Sequence, residues 1–315
     1  MRSKTLQIPS VDLRDFIKNK HAFAQQLGEH YRQFGFVGFT HHGIDDATIE
    51  SARSVCSDFF ALDTITKQRY HQPGTGGARG YTGFGVEQAK GHDQPDLKEF
   101  WHVGREVTSI NPYPNELLPN FWPLETPELK EKTLALYDAL DHLGQRILSA
   151  LALYLRLDED WFTDKVNNGN SILRAIHYPP IQQVQAGQVR AAQHEDINVI
   201  TLLVGSEQSG LEILSRDKQW IPVTSIPGTI VVNIGDMLQR LTNHVLPSTT
   251  HRVVNPTGDA IKTTRYSLPF FLHFNPDVLI KTLCSCINKE NPDRYMNSIT
   301  AHAFLQQRLA EIKLK

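Results

Sequence analysis

AAQHEDINVITLLVG, residues 191–205, sets a short polar entry against a compact apolar run closed by glycine. The run is rich in Val, Ile and Thr and too short for a stable helix, so it reads as a β-strand. Stretches of the same kind flank it: SILRAIHY (171–178), GLEILS (210–215), WIPVTS (220–225), TIVVNIG (229–235), HRVVNP (251–256) and RYSLPFFLHF (265–274). This many short strands, bounded by Gly, Pro, Asn and Asp, predict a sandwich, jelly roll or barrel. They do not alternate with helices, which argues against a doubly wound nucleotide-binding fold.

Upstream of residue 170 the apolar spacing is helical. Segment 17–34 carries Phe23, Leu27 and Tyr31 at steps of four, and segment 46–61 carries Ile49, Val55, Phe59 and Phe60. Segment 127–157 has the longest stripe, from Leu134 and Leu136 through Leu140, Leu143 and Ile147 to Leu151. Pro127 suits its first turn, and Glu128 and Glu131 suit the dipole at its start. GFVGFTHHG (35–43) and LKEFWHVG (97–104) read as isolated strands, and 299–315 returns to helix. The expected organisation is one domain, 1–315. It comprises a helix-rich N-terminal part (1–170), a β core (171–275) and a C-terminal helical segment (276–315).

The chain has 315 residues, 40% hydrophobic and 21% charged, which excludes wholesale disorder. Its net charge of −2 argues against nucleic acid as the partner, and no polybasic membrane anchor is present. The N-terminal stretch lacks a leader-like apolar core, and no run of 18 apolar residues occurs, so a cytoplasmic protein without a membrane span is expected. Cys56, Cys284 and Cys286 form no disulfide or zinc pattern, and burial as small apolar residues is expected for them. Nothing demands an oligomer; a monomer suffices.

The chemistry concentrates in the β-rich half. On a strand, His194 and Asp196 would share a face and Glu195 would point away. His251 follows 55 residues after Asp196. Two imidazoles and a carboxylate can occupy one face of an octahedral Fe(II) site and leave open positions. A chain with 14 histidines shows a His-x-Asp spacing by chance, and His244 and His273 compete for the third place. His41 and His42 would face opposite ways, with one at the surface. Arg265 and Ser267, again two apart, suit a carboxylate clasp: a planar guanidinium fork beside a hydroxyl. The glycine-rich 74–85 fits neither a dinucleotide fingerprint nor a P-loop. It reads as a loop at a cavity mouth, with Arg79 and Tyr81 as candidate substrate contacts. Lys98, Phe100 and His102 share a face of the 97–104 strand, where substrate contact and edge-strand chemistry explain them equally well. Exposed chain is expected within 71–95 and 181–190.

In order, these motifs resemble the isopenicillin N synthase-like family of Fe(II)/2-oxoglutarate-dependent dioxygenases. The resemblance covers IPSVDL (8–13), YRQFGFVGFTHHGID (31–45), GARGYTGFG (77–85) and most of 177–274. It is densest over 233–256, with its NIGD turn and His251-Arg252-Val253. The family implies a mainly β protein with α elements, a double-stranded β-helix (jelly roll) core flanked by helices. By resemblance, His194, Asp196 and His251 match the metal ligands, Arg265 and Ser267 the holders of the far 2-oxoglutarate carboxylate, and Tyr178 a tyrosine near the cosubstrate. Many members carry Asn-Tyr-Tyr-Pro where this chain has Ile176-His177-Tyr178-Pro179, so one amide contact is absent. The resemblance implies an oxidoreductase that uses Fe(II), 2-oxoglutarate and O2. Hydroxylation, desaturation or cyclisation of a small molecule would release succinate and CO2. The alternative is a direct oxidase of the same fold, with Arg265 and Ser267 on the substrate's own carboxylate. A zinc hydrolase has no use for that clasp, and a non-catalytic binding module has no use for the full ligand set.

Overall fold

The structure, a computed structural model, describes residues 7–75, 77–88, 94–107, 112–181, 187–204, 210–223 and 227–311. The elements before residue 170 are β1 (Ser10–Asp12), α1 (Arg14–Lys18), α2 (Lys20–Phe34), β2 (Phe36–Thr40), α3 (Asp46–Phe60), α4 (Thr64–Gln68), β3 (Gly80–Thr82), β4 (Glu99–Gly104), α5 (Glu128–Tyr154) and α6 (Thr163–Val166). The β-rich half holds β5 (Ile172–Tyr178), β6 (Ala191–His194), β7 (Ile200–Val204), β8 (Leu211–Leu214), β9 (Trp220–Pro222), β10 (Ile230–Ile234), α7 (Asp236–Leu241), β11 (His251–Val253) and β12 (Arg265–Leu272). A small hairpin, β13 (Leu279–Ile280) with β14 (Ile299–Thr300), leads into α8 (Ala301–Glu311).

Two sheets face each other. The larger runs β1-β2-β10-β7-β12-β5-β4-β3 and the smaller β6-β11-β8-β9. Side-chain alternation divides the larger sheet into two surfaces. Leu173 and Ala175 of β5, Ile200 and Leu202 of β7, and Phe270 and Leu272 of β12 join the main apolar core beneath the helices. Their neighbours, such as Arg174, Thr201 and Ser267, turn toward the smaller sheet. The jelly roll flanked by helices is therefore what the strand pattern and the resemblance imply.

The long helix α5 presents the predicted stripe: Leu136, Leu140, Ile147 and Leu151 are wholly buried against α2, α3 and the sheet. Its approach is close. A Cβ on Gly144 would lie 2.5 Å from Leu272 Cδ1, so glycine lets helix and strand meet there.

Several expectations need correction. Segment 17–34 is not one helix: Asn19 is extended, and its side chain accepts from Ala22 N (3.0 Å), capping α2. β4 is no edge strand, because β3 and β5 pair with it on both sides. Four of the eight strands in the larger sheet, β1 to β4, come from before residue 170, so the helix-rich part is woven into the core. The 276–315 stretch is only partly helical. Cys56 and Cys286 are buried, but Cys284 is exposed. Within 71–95, residues 80–82 form buried strand rather than open loop. Residues 76 and 89–93 of that stretch, and 182–186 of 181–190, lie outside the described residues. Among the described residues no helix is long and apolar enough to cross a membrane.

Because β1 to β4 share one core with the later strands, urea denaturation followed by fluorescence and circular dichroism is expected to give one transition. Leu140→Ala removes a fully buried side chain from that core and is expected to lower stability by about 2–5 kcal/mol. Two separable transitions dividing near residue 170 would show independent halves instead.

Candidate active site

Between the two sheets, His194 ends β6 and His251 begins β11, directly opposite in register, with ring centroids 4.4 Å apart. Asp196 is not on the strand. The ladder ends at His194, so the shared-face spacing does not place the carboxylate; hydrogen bonds from the larger sheet do. Thr201 Oγ1 on β7 and Asn233 Nδ2 on β10 donate to Asp196 Oδ2 at 2.6 and 2.7 Å. Asp196 Oδ1 is thereby left facing His194 Nε2 (3.9 Å) and His251 Nε2 (3.8 Å). One ligand atom from each residue lies within 4.8 Å of the others.

The protonation states suit a metal. His194 Nδ1 lies 2.7 Å from Ala192 O and His251 Nδ1 3.1 Å from Thr249 O, so each Nδ1–H donates to a carbonyl and each Nε2 lone pair faces the centre. Burial, then the His251 ring, pushes His194 down to about 4. Burial opposes charge on Asp196, but the two imidazoles, Asn233 and Thr201 outweigh it and hold the carboxyl below its ordinary value. A neutral His194 and an ionised Asp196 are the states in which these groups bind a divalent metal. The sequence reading missed Thr201 and Asn233, although Asn233 opens the NIGD turn. Glu195 turns away and accepts from the Thr250 hydroxyl.

On β12, Arg265 and Ser267 are buried on the inner surface, while Tyr266 faces the helices and stacks on His177. Arg265 sits opposite Tyr178 and Ser267 opposite Ile176. Arg265 Nε and Nη1 are buried without a hydrogen-bond partner among the described residues. The guanidinium lies 4.9 Å from the Tyr178 ring centroid. A buried cation left unpaired is costly, so an anionic occupant fits this place. An orphaned guanidinium beside a hydroxyl fits a carboxylate, and the His/Asp/His set fits Fe(II). Ile176 packs with Phe100 and Tyr178, an apolar patch where an amide would otherwise reach the cosubstrate.

A cavity of about 480 Å³ opens beside His194 and Asp196. Lys98 and His102 line it, as do Glu87, Arg174, Phe271 and, from α8, Leu305. Lys98 Nζ bonds Glu87 (2.6 Å) and Asp96 (2.8 Å). Arg174 reaches Glu87 at 3.2 Å, donates to His102 Nε2, and lies over Phe100 (4.3 Å). Phe100 thus shares the inner surface but supports the wall from behind. Arg79 and Tyr81 point elsewhere. Arg79 is buried on Ala78 O, Leu118 O and Asn170 Oδ1, and Tyr81 donates to Glu99 on the helix side. Of the competing histidines, His273 lines the cavity outside the triad, and His244 bonds Tyr295 away from it (2.7 Å). His41 is exposed and His42 buried.

Two outcomes test this geometry. Asn233→Ala is expected to weaken Fe(II) binding by about 10–100-fold in a metal titration, with circular dichroism unchanged. Burial holds His194 and His273 at about 4 and pushes His102 well below its ordinary value, so all three stay neutral when folded. The unfolded chain protonates them near 6.5. Between these values the unfolded state binds more protons, so stability rises with pH. The melting temperature of the metal-free protein is expected to fall by several degrees from pH 7 to pH 5.

Comparison with known proteins agrees with this geometry. Residues 8–125 match a family model described as non-haem dioxygenase in morphine synthesis N-terminal, and residues 169–274 match the 2OG-Fe(II) oxygenase superfamily. The chain is 32% identical to the 2-oxoglutarate-Fe(II) type oxidoreductase hxnY of Emericella nidulans over 286 residues, 88% of this chain and 81% of that protein. A crystal structure from Caulobacter crescentus, described as of the 2OG-Fe(II) oxygenase family, is 50% identical with a TM-score of 0.89, covering 96% of this chain and 98% of that one. A full-length Neurospora crassa protein in complex with alpha-KG is 29% identical with a TM-score of 0.87, covering 98% of each chain. The chain belongs to the Fe(II)/2-oxoglutarate-dependent dioxygenases of the isopenicillin N synthase-like kind, and it is an oxidoreductase that uses Fe(II), 2-oxoglutarate and O2 to oxidise a small molecule.

Proposed function

We propose that His194, Asp196 and His251 hold the Fe(II), that Arg265 and Ser267 take the far carboxylate of 2-oxoglutarate, and that the cavity on the other side of the triad receives a small polar molecule without net charge. One observation carries the cosubstrate assignment: Arg265 is buried with nitrogens unpaired, two residues before Ser267, on the surface that faces the triad. When bound, the metal and cosubstrate supply oxidising power from O2, with succinate and CO2 as coproducts. The protein's own part is placement. The two imidazoles and Oδ1 of Asp196 gather on one side of the centre and leave the other side open. The Tyr178 ring, its centroid 4.9 Å from the Arg265 guanidinium, packs beside that cation. Phe271, Leu305 and Leu309 give the cavity wall an apolar side.

Charge supports the neutral substrate. Lys98 is matched by Glu87 and Asp96, Arg174 by Glu87, and Arg308 by Asp236 (3.1 Å) and Glu311 (2.7 Å). An anionic substrate would have to break one of these pairs, at a cost of several kcal/mol. The Neurospora protein in complex with alpha-KG and thymine, a neutral ring, is in keeping with this reading. Lys98 and His102 are the wall residues closest to the sequence expectation; Arg79, Tyr81 and Phe100 act behind it. The small net charge supports a small-molecule partner over nucleic acid, and a candidate site built within one chain supports a monomer.

Anaerobic titration of the Fe(II) protein with 2-oxoglutarate is expected to raise a visible charge-transfer band. Arg265→Ala removes charge-assisted hydrogen bonds worth roughly 1.5–3 kcal/mol each and is expected to weaken binding by about tenfold to a hundredfold or more. Arg265→Lys is expected to recover only part, since a point charge does not reproduce the fork. His194→Ala, Asp196→Ala and His251→Ala are each expected to lose tight Fe(II) binding while remaining folded. A wild-type protein without the band or succinate release would instead be a direct oxidase, with the clasp on its substrate.

A further inference from the structure

The strands that carry the two histidines do not pair evenly. His194 stands opposite His251 and Ala191 opposite Val253, so Ala192 and Gln193 together face Arg252 in a β-bulge. A bulge re-aims the side chains beside it. Without the extra residue, a one-residue slip would turn His194 to the other face of its sheet. A bulge also leaves backbone groups without ladder partners, and a buried N–H must then find another acceptor. Among the described residues β6 is the edge of the smaller sheet, so no second strand supplies one.

Asp96 supplies it. Ala192 is buried, and its N–H donates to Asp96 Oδ1 at 3.0 Å. Lys98 Nζ donates to Asp96 Oδ2 at 2.8 Å, which divides the carboxylate between an ammonium and the bulge. Both side chains are buried, and Asp96 lies just before β4 of the larger sheet. From the same stretch, Leu97 N donates to Val189 O at 3.1 Å and holds the chain that enters β6. Ala192 is also the residue whose carbonyl accepts from His194 Nδ1 at 2.7 Å. A hydrogen-bonded path therefore runs from Lys98 through Asp96 and Ala192 to the imidazole.

We propose that Asp96 is a positioning residue for the metal: its carboxylate holds the β6 bulge and so aims the His194 imidazole at the centre. The proposal rests on the assignment of His194 as a metal ligand. It gives Lys98, a wall residue of the cavity, a second task, which is to orient that carboxylate. An amide at position 96 could accept from Ala192 N or from Lys98 Nζ, but its own NH2 group would then face the other donor.

The test is calorimetric titration of the metal-free protein with Co(II), whose visible absorption also reports ligand geometry, with circular dichroism to check folding. Asp96→Ala is expected to weaken Co(II) binding by about 10–100-fold and to change the Co(II) spectrum. Asp96→Asn, which can keep one of the two bonds, is expected to lie between Asp96→Ala and wild type in both readouts. Glu87→Gln takes the other carboxylate from Lys98 (2.6 Å) but touches no bond to β6. It is expected to keep the wild-type Co(II) affinity and spectrum. Wild-type affinity and spectrum in Asp96→Ala, or equal losses in Asp96→Ala and Glu87→Gln, overturn the proposal and leave Asp96 as a partner of Lys98 alone. Where Asp96→Ala does not fold, Asp96→Asn decides, and wild-type affinity and spectrum in it overturn the proposal. His194→Ala separates the two assignments. If it keeps wild-type Co(II) binding, the ligand assignment fails and the proposal with it. If it loses binding while both Asp96 variants keep theirs, the ligand assignment stands and the positioning role fails.

Discussion

The carboxylate of Asp196 joins the two sheets, and the geometry of the site depends on how it is held. Both bonds to its Oδ2 come from the larger sheet, from Thr201 and Asn233, which are themselves paired across β7 and β10. The backbone reinforces them. Asp236 N donates to Asp196 O at 2.7 Å and Gly235 N to Val199 O at 2.9 Å, so the NIGD turn clamps the chain just after it leaves β6. A Cβ on Gly235 would lie 2.1 Å from Asn198 O, so only glycine permits that clamp. One oxygen is fixed to protein and the other is presented to the imidazoles. A metal site assembled this way is held by a rigid ladder rather than by a loop.

The same larger sheet separates two kinds of burial. Its helix side is mostly apolar, but it contains one ionic network. Lys67 Nζ donates to Glu99 at 3.0 Å, His177 Nδ1 lies 2.7 Å from Glu99, and Tyr81 donates to the other carboxylate oxygen. This network ties α4 to β3, β4 and β5 behind the site. Removing one partner would strand a buried charge, which destabilises far more than the intact group stabilises. On the inner side, polar groups such as Arg174, Thr201, Asn233 and Ser267 stand among apolar ones such as Leu203, Val231 and Phe271. Alternation thus shapes the cavity wall, while hydrogen bonds from β7 and β10 place Asp196, with the helices supplying the apolar support behind both.

Electrostatics differ at the two ends of the inter-sheet space. At the cavity end each named cation has a carboxylate partner, so none of them calls for an anionic occupant. At the far end Arg265 Nε and Nη1 are buried without a hydrogen-bond partner among the described residues. An imbalance of this kind favours an anion at one end and an uncharged molecule at the other.

Much of this was legible in the chain. Short β-branched runs between turn residues predicted a sandwich, jelly roll or barrel, because a half-buried strand must alternate or be wholly apolar, and the family resemblance narrowed this to the jelly roll. The ordered His194, Asp196, His251, Arg265 and Ser267 named the site, because metal and carboxylate chemistry demand those side chains. Spacing could not say that β6 stops at His194 and that hydrogen bonds from β7 and β10 return Asp196 to the centre. Nor could it show that Arg79 and Tyr81 point out of the cavity, or that β4 is interior with Lys98 and His102 tied into its wall. Those outcomes depend on which strands become neighbours. Thr201 and Asn233 acquire meaning only once β7 and β10 pair and bring both side chains to Asp196, because burial and hydrogen bonding act through space. The sequence determined which chemistry was available; the pairing of distant strands decided which groups could reach it.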